Sequence, residues 1–199
     1  MIFSQSELPE DGLNLTRVND NDVPALVENL EQGMIMLEGA RNNILSEIYF
    51  SVKAIVFFTQ PEKDYQVLSF TGDMMQTLIF INGKKDNSHV FIIDKLIHEA
   101  AHTYLFLINL HEEMVLNSRE KIYASPLRSD KRDMFGIYHS TFVIQRLIFS
   151  FGNILIHSSN LTEPDHCAIR DLVNMYYQKL DQGYEVTKNT ENYQSWLRT

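Results

Sequence analysis

The stretch VFIIDKLIHEAAHTYLFLINL, Val90–Leu110, decides how the rest of the chain is read. Its apolar residues leave no polar face broad enough for a fully solvated helix, and it contains neither glycine nor proline. A run this long and this unbroken predicts a mostly buried helix rather than a strand. GKKDNS, Gly83–Ser88, stands in front of it as a turn that ends in a helix-capping serine. Inside the run, His98 and His102 are four apart, and side chains at that spacing share one helical face. Two histidines and Glu99 among Leu96, Ile97, Ala100, Ala101 and Leu105 are costly to bury without partners, and a metal ion bound by both imidazoles supplies one.

Upstream, Leu26, Leu30, Met34, Leu37, Ala40, Ile44 and Ile48 recur at helical intervals, which predicts one amphipathic helix from about Val23 to Glu47, kinked near Gly33. SVKAIVFF, QVLSF and TLIFIN carry the β-branched and aromatic content of strands and predict a small sheet of two to four strands. Residues 1–20 read as an irregular arm. Downstream, residues 111–133 read as a loop or broken helix, Phe135 to about Ser158 as a helix, and Glu163 to about Leu180 as a last helix with Pro164 at its first turn. Residues 184–199 are a polar tail, and Trp196 is expected to dock on the body. No repeat or shift in composition divides the 199 residues. The expected architecture is therefore a single α+β domain over 1–199, mostly helical, with a small sheet ahead of the long buried helix.

Charge and cysteine content narrow the partners. A formal net charge of −9 with scattered Lys and Arg lacks the electrostatic footprint of a nucleic-acid binder. Cys167 is the only cysteine, which excludes an internal disulfide and multi-cysteine metal sites and suits a reducing compartment, so a cytoplasmic location is expected. The N-terminal residues do not read as a secretory signal, and the longest apolar run, Leu147–Ile156, is too short and too interrupted to span a bilayer.

Two ligands do not complete a metal site. The histidine-containing metzincin extension is excluded because Leu105 and Ile108 stand where its glycine and third histidine belong. A gluzincin-like zinc peptidase would take a later glutamate: Glu120 lies near the required spacing, with Glu112 and Glu113 closer. In that reading His98, His102 and Glu120 bind zinc and Glu99 is the general base. His139, in GIYHSTFVIQRL, is the other candidate third ligand, on a helical face with Phe135, Phe142 and Val143. Arg128 and Arg132 stand just upstream, and their guanidinium groups suit bidentate capture of a carboxylate. His89, His111, His157 and His166 are expected at the surface. A third possibility is a non-enzymatic binding protein whose motif is vestigial.

LIHEAAHTYL followed about two dozen residues later by YASPLRSDKRDMFGIYHSTF resembles the HExxH-motif peptide-modification proteins of bacterial ribosomal-peptide pathways, classed as 2-oxoglutarate-dependent peptide β-hydroxylases. Pro126, Arg128, Arg132, Gly136 and His139 match that family's ordered set, whereas Leu127 replaces its tryptophan and Asp133 its second proline. The likeness covers roughly Ser51 to Phe149. It implies an iron(II) enzyme that consumes 2-oxoglutarate and dioxygen and hydroxylates the β-carbon of a residue in a peptide substrate, expected to be a precursor peptide. His98, His102 and His139 would bind the metal, with Glu99 or Glu120 as alternative carboxylate ligands. Arg132, with Arg128 second, would hold the far carboxylate of 2-oxoglutarate.

Overall fold

The structure is a computed structural model that describes residues 14–41, 43–61, 67–72, 77–110, 114–116, 120, 122–125 and 130–188. The expected long helix is present as α3, His89–Asn109. Ser88 caps it as anticipated, its hydroxyl accepting from the Phe91 amide at 3.2 Å. Four elements precede it on the sheet side: β1 (Thr16–Arg17), β2 (Ala54–Thr59), β3 (Ser69–Phe70) and β4 (Leu78–Asn82). The sheet order is β1-β2-β4-β3, with β2 and β4 parallel at the centre and an antiparallel strand on either side. Part of the expected N-terminal arm is thus strand β1, where Thr16 pairs with Thr59. Residues 1–13 lie outside the described region.

Alternation along β4 sends Ile79 and Ile81 into the same core as Ile93, Leu96 and Ile97 of α3. Around that core pack α1 (Val23–Gly39), α2 (Ile44–Ser51), α4 (Met134–His157) and α5 (Glu163–Lys188), so the chain is α+β with helices dominating. A two-stranded ribbon of β5 (Tyr123–Ala124) and β6 (Lys131–Arg132) leads into α4. Asp133 caps α4 by accepting from the Gly136 amide at 2.8 Å, a role its place in the sequence motif did not disclose. No helix of the described residues is long and apolar enough to cross a membrane.

Two helix boundaries differ from expectation. The first amphipathic stretch is two helices, broken at Ala40–Asn43 with Arg41 at φ 51°, a left-handed conformation. α1 runs without a break through Gly33. A Cβ there would lie 3.0 Å from the Ile93 Cβ, so the glycine lets α1 and α3 approach closely. Gly183 does not end α5, which continues to Lys188. It is buried, and a helical glycine costs only about 1 kcal/mol relative to alanine. The expected docking of Trp196 falls outside the described residues.

Gly83, after β4, donates its amide to the Phe58 carbonyl at 2.8 Å. A Cβ on it would lie 2.7 Å from Leu26 Cδ1 and 3.2 Å from Phe57 Cβ. Gly83→Ala is expected to cost about 1–3 kcal/mol by overpacking, read as a lower urea midpoint with an unchanged m value.

Candidate metal centre

On α3 the i, i+4 spacing brings the Nε2 atoms of His98 and His102 to 3.1 Å from one another. That separation suits two imidazoles on one ion, for which metal–nitrogen distances are about 2.0–2.1 Å. From α4, the His139 ring lies edge to face with His102, centroids 4.6 Å apart. Phe106 of α3 and Phe135 of α4 place their rings 5.1 and 5.4 Å from His139, each edge to face. The helical face read for His139 is therefore correct, and the packing of α4 on α3 turns that face toward the motif.

Burial sets the electrostatics. His102 and His139 are 5% and 2% exposed, and no hydrogen-bond partner meets Nδ1 of His102 or either ring nitrogen of His139. By surface area His98 keeps some solvent access, yet it too lies deep within the surrounding protein. Desolvation holds His98 and His102 well below the ordinary imidazole value, and the neighbouring His139 lowers both further. His139 is lowered to about 3, again chiefly by burial. All three rings are neutral at pH 7, the state in which imidazole donates a lone pair to a metal.

The three imidazoles fit a transition-metal ion in donor type and charge state, and His98 and His102 fit it in spacing as well. Among the described residues no group of three or more His, Cys, Asp and Glu side chains is already arranged to hold a metal ion. The third ring, that of His139, packs edge to face against His102, and neither of its nitrogens meets a hydrogen-bond partner.

Glu99 is fully buried, and desolvation raises its carboxyl above the usual glutamate value. Ser69, on edge strand β3, donates to its Oε1 at 2.6 Å. This serine went unread in the sequence: the only sign was a polar residue in a strand-like QVLSF. It ties the sheet edge to the residue beside the first histidine. Glu120 is exposed and pairs with none of the three histidines, so the gluzincin ligand set is not assembled. Arg132 lies just ahead of α4 with its Nε 3.1 Å from the Asp130 carboxylate. Arg128, Glu112, Glu113 and His111 lie outside the described residues. Of the histidines assigned to the surface, His157 is exposed, while His89 is partly covered and bonds Asp165 at 2.9 Å.

No protein-family model and no curated protein matches the chain.

Proposed function

We propose that the chain is an iron(II)- and 2-oxoglutarate-dependent oxygenase that hydroxylates the β-carbon of a residue in a ribosomally made peptide. His98, His102 and His139 are its metal ligands. The observation that carries the reading is the buried trio of neutral imidazoles, two of them with ring nitrogens that no protein group satisfies. The sequence resemblance then favours iron over zinc. Three protein ligands leave positions open for the oxo acid and dioxygen, and bound iron(II) supplies the coupled oxidation of both substrates.

The chain's own part is binding, orientation and exclusion of water. Burial keeps the rings unprotonated and ready to ligate. Phe106 and Phe135 keep solvent from His139. Ser69 holds one oxygen of Glu99 in a fixed direction.

Anaerobic reconstitution with iron(II) and 2-oxoglutarate tests the proposal, with succinate formation measured with and without candidate precursor peptides. Peptide-dependent succinate is the expected result. Uptake of less than a tenth of an equivalent of any transition metal would overturn it. A second reading, zinc-dependent peptide hydrolysis on the same histidines with Glu99 as general base, draws on the anchored, buried carboxyl next to His98. Glu99→Gln separates the two. Loss of all turnover with metal retained favours hydrolysis, whereas retained succinate formation favours the oxygenase. Glu120→Ala is expected to leave metal content unchanged in either case.

A further inference from the structure

One turn before His98 on α3 lies a second buried polar group. Asp94 is 2% exposed, and both of its oxygens are engaged. The Tyr176 hydroxyl of α5 donates to Oδ1 at 2.6 Å, and the Lys95 ammonium lies 2.5 Å from Oδ2. Lys179 follows Tyr176 by one helical turn and places its Nζ 5.8 Å from the centre of that ring. Half-buried, it forms no ion pair among the described residues. The group thus holds two ammonium charges against one carboxylate, an excess of one positive charge in a partly desolvated place.

An ammonium so placed is costly unless an anion meets it. Burial, then repulsion from Lys95, holds the Lys179 amine below the usual lysine value, while Asp94 draws it the other way. These three charges therefore act on one another at short range. His98 stands four residues beyond Asp94, on the same helical face and directly beside this excess charge. Arg132, by contrast, already has the Asp130 carboxylate against it.

We propose that Lys179, backed by Lys95 and fixed against Tyr176 and Asp94, forms a carboxylate-binding subsite beside His98. A monoanion matches the single spare charge, whereas a phosphate dianion would be repelled by Asp94. The carboxylate belongs either to a free dicarboxylic acid or to an acidic peptide side chain, since both present the same group. The proposal does not depend on which metal, or whether any metal, occupies the histidines.

Isothermal titration calorimetry on metal-free protein tests it with four probes: glutarate, glutaramide, and a short capped peptide carrying either glutamate or glutamine. The wild-type chain is expected to bind glutarate or the glutamate peptide at least about tenfold better than the neutral counterpart. Lys179→Met removes that preference, and Lys179→Arg keeps it within about threefold. Whichever acidic probe shows the dependence on Lys179 identifies the source of the carboxylate. Equal binding of acidic and neutral probes, or a preference that survives Lys179→Met, overturns the subsite. Because no metal is present, the outcome stays readable even if the chain takes up no iron.

Discussion

Replacing His139 with alanine is expected to abolish stoichiometric binding of iron(II), and of zinc or cobalt(II) used as a probe, in a chain that stays folded. Affinity should fall by about a hundredfold or more, because groups that merely orient a ligand already cost 10–100-fold when removed. Folding should survive for a definite reason. The imidazole is buried, but its two nitrogens have no partner, so truncation removes unsatisfied polar atoms along with ring packing against Phe106 and Phe135. Metal content after anaerobic loading, read beside the far-ultraviolet circular dichroism of the same sample, checks both halves. The metal-loaded wild type should also melt higher than the metal-free chain, by the equivalent of about 4 kcal/mol at a thousandfold excess over Kd, and the variant should lose that gain. Affinity within threefold of wild type would remove His139 from the ligand set and leave a two-histidine pair that cannot support the proposed chemistry.

Why the sequence disclosed some of this and not the rest follows from the distances along the chain over which each feature is specified. His98 and His102 are set by one turn of one helix, so their spacing alone puts them on one face. The helical face of His139 was legible for the same reason, but its meeting with His102 depends on how α4 packs against α3. Ser69 and Glu99 are 30 residues apart, and Asp94 and Tyr176 are 82 apart. No local pattern encodes such pairs. They appear only once the edge strand and the last helix have settled on α3. The glycines show the same limit from the other side. Gly33 and Gly183 looked like points of weakness in their helices, and both are buried, Gly33 where α1 and α3 approach closely. The apolar rhythm also ran unbroken across residues 40–43, because Ala40 and Ile44 face the same core on either side of the break between α1 and α2.

Metal-free protein should lose stability steeply as the pH falls from about 6.5 toward 5. Each histidine has an ordinary pKa of 6.5 when unfolded, while in the fold burial keeps His98 and His102 well below that and His139 at about 3. Below about pH 6.5 the unfolded chain therefore binds more protons than the native one. Stability is complete above that value and is lost on acidification, at up to about 1.4 kcal/mol per pH unit for each histidine that stays neutral in the fold. Three together approach about 4 kcal/mol per unit, a large part of the 5–15 kcal/mol that holds a typical domain. The contribution of His139 continues to fall until the pH nears 3, where the native ring protonates as well. Glu99 acts in the opposite sense. Its raised pKa makes the native chain the better proton binder above about pH 4.5, which trims the loss without reversing it. Urea unfolding at pH 7.5 and 5.5 measures the slope, and His139→Phe, which keeps an aromatic ring but cannot titrate, should flatten it by about one histidine's share. A wild-type stability that stays level across that interval would mean that the rings take up protons in the fold, and a cluster of charged imidazoles is not one that waits for a metal ion.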